Sequence, residues 1–225
     1  MNEIGNASGP KLIGHRGVTG RDVQENTLDA FAEALESGCH GIETDLRRTS
    51  DGHLILLHDR TLPGGAPVAQ SSLKQCHEAL GFEPPLLEEA IDAFPTCIWN
   101  LEIKTPDVLN EILTLRRATE RLEDVYISSF DHNLLTHLKR LVSCPAFALT
   151  ATLPRNKEGF LHYLGDCGFD GVVWDFEIVR DDYILHMNEN GILSACYGLE
   201  NREEIRKCKS LGITYAIIDS VDVNN

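Results

Sequence analysis

No run of roughly eighteen apolar residues occurs in the chain, which excludes a transmembrane helix. Met1 to Pro10 is polar and contains glycine, without the apolar stretch of a signal peptide. Basic residues are scarce. There are 20 Lys and Arg against 35 Asp and Glu, a formal net charge of −15, which argues against nucleic acid or an anionic membrane as a main partner. The seven cysteines, Cys39, Cys76, Cys97, Cys144, Cys167, Cys196 and Cys208, form no Cys-x-x-Cys pair, so a zinc or redox motif is not indicated. Several sit in apolar surroundings and read as small core residues, a usage that suits a reducing compartment. No phosphate-cradling P-loop is present, so nucleotide hydrolysis is not indicated, and nothing points to an organic cofactor. Repeats and low-complexity tracts are absent as well. The expectation is a soluble cytoplasmic protein, one domain over residues 1–225.

What is present is alternation. Short β-branched runs lie between longer helical patterns. The strand Lys11 to His15 leads through a Gly-bearing turn into a helix from about Thr27 to Ser37, with Asn26 or Thr27 as its N-cap. The strand Gly41 to Leu46 is separated by Asp51-Gly52 from the apolar run Leu54 to Leu57. Pro63 to Pro85 is irregular, with one short helix, and reads as a surface excursion after the second strand. A helix at Leu86 to Phe94 precedes the strand Cys97 to Ile103. From there helices at 107–121, 131–141, 156–166, 180–190 and 201–211 alternate with strands at Val125 to Ser129, Ala146 to Ala151, Gly171 to Asp175, Ile192 to Tyr197 and Tyr215 to Asp219. Eight main strands in βα units point to an α/β fold, a TIM (β/α)8 barrel; a doubly wound open sheet shares the same alternation. The polar residues favour the barrel, because His15, Glu43, Asp45, Glu102, Ser128, Ser129 and Tyr197 all fall at or near strand ends, where a barrel builds its site. The chain ends six residues after Asp219, so a truncated C-terminal end without the usual last helix is expected.

Charge inside a strand needs a partner or a task. Glu43 and Asp45 are two apart on one strand and face the same way, and Glu102 sits in an equally apolar run. Adjacent carboxylates repel unless a cation lies between them. Three oxygen ligands suit a hard divalent cation, Mg²⁺ or Ca²⁺. Any one of these acids is more simply an ion-pair partner of Arg47, Arg48 or Lys104; all three together are not. His15 and His58 are candidate acid and base, since imidazole serves either role near neutral pH. His40, His53, His77, His132, His137, His162 and His186 show no supporting pattern and read as structural. Arg16 and Lys104 are candidates to contact phosphate oxygens, or counter-ions to Glu25, Glu43 or Glu102, and the two roles are compatible.

These residues also carry a resemblance. His15-Arg16-Gly17, Glu25-Asn26-Thr27, Glu43-x-Asp45, His58-Asp59 and Glu102-Ile103-Lys104 occur in the order and roughly the spacing of the glycerophosphodiester phosphodiesterase family. The chain resembles that family from about Lys11 to Asp219. No single motif is specific; the ordered set is. The resemblance implies a TIM barrel with a divalent metal on Glu43, Asp45 and Glu102. It implies acid/base catalysis by His15 and His58, and phosphate contacts from Arg16 and Lys104. Glu25 matches a carboxylate near the site that orients a cation, and Ser128-Ser129-Phe130 matches as well. The implied products are sn-glycerol 3-phosphate and a free alcohol such as choline or ethanolamine. Three departures stand out. Gln24 replaces a Pro before Glu-Asn-Thr. Tyr197-Gly198-Leu199-Glu200 with Asn201 stands for Trp-Thr-Val-Asn, keeping Tyr197 as an aromatic, substrate-binding wall. Pro63-Gly64-Gly65 opens a shorter insertion than the family's.

The leading expectation is therefore metal-dependent phosphodiester hydrolysis of a small-molecule substrate, in which either water or a neighbouring substrate hydroxyl attacks first. A lysophospholipase D acting on a larger phosphodiester is the second reading, although no basic or amphipathic membrane-surface stretch is evident. A non-catalytic phosphodiester-binding barrel is the third, and the intact set of histidines and acids argues against it.

Overall fold

Successive residues of a strand face opposite sides, and the β4 strand (Ile98–Ile103) shows what this does here. Trp99, Leu101 and Ile103 join the large apolar layer beneath the helices. Ile98 faces the other way, into a smaller cluster with Ile13, Tyr126, Phe147, Leu149, Val173, Ala195 and Ile217. Asn100 and Glu102 share that inward side and line a pocket above the cluster. Two apolar layers, one inside a closed sheet and one outside it, are the signature of a barrel.

The computed structural model describes residues 9–17 and 23–220. The strands are β1 (Lys11–His15), β2 (Gly41–Arg48), β3 (Leu54–Leu56), β4, β5 (Val125–Ser129), β6 (Ala146–Thr150), β7 (Gly171–Asp175), β8 (Leu193–Leu199) and β9 (Tyr215–Ile218). All pair in parallel except β3, and the sheet closes because β1 pairs with both β9 and β2. The open-sheet alternative is thereby set aside. The helices are α1 (Leu28–Glu36), α2 (Leu73–Leu80), α3 (Leu87–Ala93), α4 (Ile112–Glu120), α5 (His132–Lys139), α6 (Lys157–Cys167), α7 (Asp181–Glu189) and α8 (Arg202–Ser210). Their starts follow the side chains that can accept from free helical N–H groups: Thr27 for α1, Ser72 for α2, Asp131 for α5, Asn156 for α6 and Asn201 for α8. The expected insertion is β3, a 3₁₀ turn at Val68–Gln70 and α2. The expected absence of a last helix falls on residues 221–225, outside the described residues, as do Met1 to Ser8 of the N-terminus.

Three boundaries differ from the sequence pattern. β2 runs on to Arg48 because β3 folds back antiparallel on it, pairing Leu46 with Leu56 and Arg48 with Leu54. β8 continues to Leu199 through a register shift against β9. The single helix expected over 107–121 is a 3₁₀ stretch, Pro106–Glu111, followed by α4. Glu111 breaks the helical path at φ −110° and ψ 31°, and Arg48 holds its carboxylate at 2.8 and 3.0 Å.

Among the described residues no helix is long and apolar enough to cross a membrane. The seven cysteines are free and six are buried. Burial pushes Cys39 and Cys144 up to about 11 and Cys97 to about 12, so these thiols stay protonated and serve as packing.

Gly17 ends the first strand's turn with φ +78°, and a Cβ there would lie 2.6 Å from the backbone carbon of Ala30. Only glycine lets α1 pack this tightly under the turn. Gly17→Ala is expected to cost about 2 kcal/mol or more. That corresponds to a fall of roughly 4–8 °C in thermal midpoint, readable by circular dichroism.

Candidate active site

The C-terminal ends of β1, β2, β4, β8 and β9 bring the candidates to one place. His15, Arg16, Glu43, His58, Glu102, Lys104 and Tyr197 line one cavity of about 540 Å³, counted out to its open mouth, together with Asn100, Phe130, Leu149 and Ile217. Asp45 lies against this wall, fully buried, and Glu25 stands to one side, bound to Arg16. The cavity has two characters. One half is charged; the other is apolar, formed by Phe130, Leu149, Tyr197 and Ile217.

The register explains the acid cluster. Asp45 on β2 pairs with Glu102 on β4, and Glu43 lies two residues before Asp45 on the same face. Glu43, Asp45 and Glu102 are all buried and offer carboxylate oxygens within 4.8 Å of one another. Burial, then the charges of Asp45 and Glu102, push Glu43 up to about 8, against the opposing pull of His15 and Lys104. Burial raises Glu102 too, with Lys104 opposing. Burial works the same way on Asp45, but Lys104, Asn26 and Arg16 outweigh it and hold that carboxyl below its ordinary value.

Each oxygen of the cluster has a different environment. Glu43 Oε2 accepts from the Arg16 backbone N–H at 3.0 Å, while Glu43 Oε1 is buried without a hydrogen-bond partner among the described residues. Asp45 Oδ2 accepts from Asn26 Nδ2 at 2.8 Å and faces Arg16 Nε at 3.3 Å. Lys104 Nζ bridges Asp45 Oδ1 at 2.8 Å and Glu102 Oε1 at 2.6 Å. A buried carboxylate oxygen without a donor, beside two more acids, is what a hard cation would complete, so the donor set fits a divalent metal on Glu43, Asp45 and Glu102.

The imidazoles are held alike. His15 Nδ1–H donates to the Asp219 carboxylate, and His58 Nδ1–H donates to Asp59 at 3.0 Å. In both rings Nε2 is the nitrogen that the aspartate does not engage. His15 Nε2 stands 3.8 Å from Glu43 Oε2. The His58 backbone is fixed by Arg47, whose buried guanidinium donates to the His58 carbonyl from Nε at 2.8 Å and also from Nη2.

Arg16 and Asn26 occupy left-handed backbone at φ 53° and 57°. Asn26 N–H donates to the Arg16 carbonyl at 2.8 Å, locking the two ends of the turn together. Arg16 Nη1 donates to both Glu25 oxygens, at 3.0 and 3.1 Å. The Asn26 side chain accepts from Thr44 Oγ1 at 2.6 Å while it donates to Asp45, so it braces the acid cluster and leaves the capping of α1 to Thr27. Tyr197 OH donates to Asp175 at 3.4 Å; burial, then Asp175, push this phenol up to about 12.

Three contributors were not singled out from the sequence. Asn26 was visible as a possible helix cap and within the Glu25-Asn26-Thr27 motif, without a part in the acid cluster. Asn100 lies in the pocket, its amide oxygen accepting from Ser128 at 2.8 Å, two residues before Glu102 on the same strand face. Asp219 directly follows β9, and barrel closure beside β1 is the one signal that points to it.

A closed eight-stranded barrel with this pocket at its C-terminal mouth is an enzyme fold with an enzyme's pocket, and comparison with known proteins gives the chemistry: the chain is a phosphodiesterase. It matches the Glycerophosphoryl diester phosphodiesterase family over residues 15–223 and belongs to that family. A glycerophosphodiester phosphodiesterase of Caldanaerobacter subterraneus subsp. tengcongensis is 26% identical over 242 residues, covering 92% of this chain and 93% of the relative. Among solved structures, a glycerophosphodiester phosphodiesterase from Thermotoga maritima superposes with TM-score 0.83 at 23% identity, covering 96% of each chain. An Oleispira antarctica phosphodiesterase in complex with the product sn-glycerol-3-phosphate does so with TM-score 0.81 at 20% identity, again over 96% of each. These two likenesses bear on the fold.

The His15–Asp219 pair gives a pH signature. Burial lowers the imidazolium, but its hydrogen bond to Asp219 and the charges of Glu43 and Asp219 outweigh it, so His15 is raised above its ordinary 6.5. Asp219 is lowered below 3.8, chiefly by the His15 hydrogen bond. The stabilisation from the pair is complete between those two ordinary values. It is lost as pH rises through the raised His15 value, and as pH falls through the lowered Asp219 value. Denaturant titrations of wild type and Asp219→Asn are expected to differ most between those two ordinary values and to converge as pH rises through the raised His15 value. A gap that widens with alkali would contradict the pairing.

Proposed function

We propose that this chain hydrolyses glycerophosphodiesters to sn-glycerol 3-phosphate and an alcohol, in a divalent-metal-dependent reaction with His15 and His58 as acid and base. The observation that carries this reading is the convergence, on one cavity, of two imidazoles whose Nδ1 atoms are each taken by an aspartate and of the Glu43, Asp45 and Glu102 carboxylates. The family shown above and the glycerol 3-phosphate held by the Oleispira antarctica relative support the choice of diester.

The substrate phosphate enters over the charged half of the cavity. One imidazole Nε2 takes the proton of the attacking hydroxyl, from water or from the glycerol itself. The other delivers a proton to the alkoxide as the P–O bond to the alcohol breaks. Arg16 and Lys104 are poised beside the acids to meet the non-bridging oxygens, and the Glu25 carboxylate fixes the direction of the Arg16 guanidinium. Burial lowers the Lys104 ammonium, yet Asp45 and Glu102 outweigh that and keep it charged. Asn26 holds the cluster through Asp45. A dication on Glu43, Asp45 and Glu102 would lower the energy of the negative charge that builds on the phosphoryl oxygens. The apolar half, with Tyr197 and Phe130, receives the part of the substrate that bears no formal negative charge.

Release of glycerol 3-phosphate from glycerophosphocholine tests this. Turnover is expected to vanish with excess EDTA and to return with Mg²⁺ or Ca²⁺. His15→Ala and His58→Ala are each expected to lower kcat by about 10²- to 10⁴-fold with the circular dichroism spectrum unchanged. A folded double variant turning over near the wild-type rate would rule out the two-histidine chemistry, and turnover undiminished by chelator would rule out the metal.

A further inference from the structure

Lys104 is well placed to do more than touch phosphate. Its side chain is 13% exposed, and its ammonium sits between two acids of the cluster, 2.8 Å from Asp45 Oδ1 and 2.6 Å from Glu102 Oε1. Asp45 Oδ1 is also the oxygen of Asp45 left to a divalent cation, because Asp45 Oδ2 is already taken by Asn26 and Arg16. Glu43 Oε1 is the one oxygen of the cluster buried with no neighbouring donor or cation among the described residues.

We infer that Lys104 is a resident counter-ion that competes with the divalent metal for Asp45 and Glu102 and thereby weakens its binding. The inference rests on the metal-dependent reading above and deepens it. Two cations that share one carboxylate oxygen lie roughly 4–5 Å apart, and even with the screening of bulk water the repulsion between a single and a double charge at that range is worth a factor of about ten in affinity. The ammonium also keeps two buried carboxylates compensated in its own right, since each would otherwise carry the cost of burial unpaired. The cluster is thus built for an exchangeable cation rather than a permanently seated one. Were Lys104 only a phosphate contact, its replacement would leave metal affinity untouched and raise KM alone.

The test is calorimetric titration of chelator-stripped full-length protein with Mg²⁺ and, separately, Ca²⁺, with no substrate present. Lys104→Met and Lys104→Gln are expected to bind at least about tenfold more tightly than wild type. Lys104→Arg, which keeps the charge, is expected to remain near wild type, and Glu102→Gln to bind more weakly. In EDTA the Met and Gln variants are expected to melt below wild type and to gain more from added metal. Unchanged or weaker metal binding by both neutral variants, with wild type binding normally, would overturn the competition and leave the metal reading standing. Wild-type protein that takes up neither cation would overturn the metal reading itself, and the inference with it. Should Lys104→Met fail to fold, the Gln and Arg variants decide the matter between them.

Discussion

Three carboxylates packed inside a protein repel one another, and much of what surrounds the pocket answers that repulsion. Glu43, Asp45 and Glu102 are all buried, with oxygens within 4.8 Å of one another. A charged group out of water is tolerated only when it is paired and hydrogen-bonded. The left-handed turn at Arg16 brings a backbone N–H onto Glu43 and a guanidinium onto Asp45. The second left-handed residue, Asn26, braces Asp45 from behind. Lys104 covers the seam between β2 and β4. The strain in the β1–α1 turn is therefore offset by what the turn does for the acids, a common arrangement where function demands an unfavourable grouping.

The barrel makes this grouping possible because it separates two tasks. Its lower interior is filled by Ile13, Ile98, Tyr126, Phe147, Val173 and Ala195, and the outer layer by residues such as Trp99, Leu101 and Ile127. Apolar burial in those two layers stabilises the fold, which leaves the mouth free to hold groups that destabilise it. The long excursion after β2 uses the same freedom. β3 pairs with the upper end of β2, beyond the part that pairs with β1, and so carries His58 across to the cavity.

Much of this was legible in the chain itself, and the reasons differ by element. The strands announced themselves because apolar alternation is a local property, and β4 carried Glu102 with it. The acids were legible because a carboxylate in an apolar run has few explanations. Asn26 was half legible: a short polar side chain before a helix can cap it, and only the tertiary structure shows that it turns to Asp45 instead. The break of the 107–121 pattern at Glu111 was hidden because its cause, Arg48, lies 63 residues away. Asp219 was hidden for the same reason, because its partner His15 lies at the other end of the sheet's circuit. Local pattern finds residues whose neighbours in sequence explain them. It is blind to those whose partners arrive through closure.

That closure bears on the order in which the molecule comes into being. His15 and Asp219 are separated by 204 positions, and they meet only because β9 docks against β1. A chain emerging from the ribosome exposes this histidine long before this aspartate. The full set of groups around the cavity therefore exists only in a polypeptide that has been made at least as far as Asp219 and has shut its sheet into a ring. In this architecture the finished circle is itself the checkpoint that separates a nascent fragment, with its acids and imidazoles unassembled, from a working molecule.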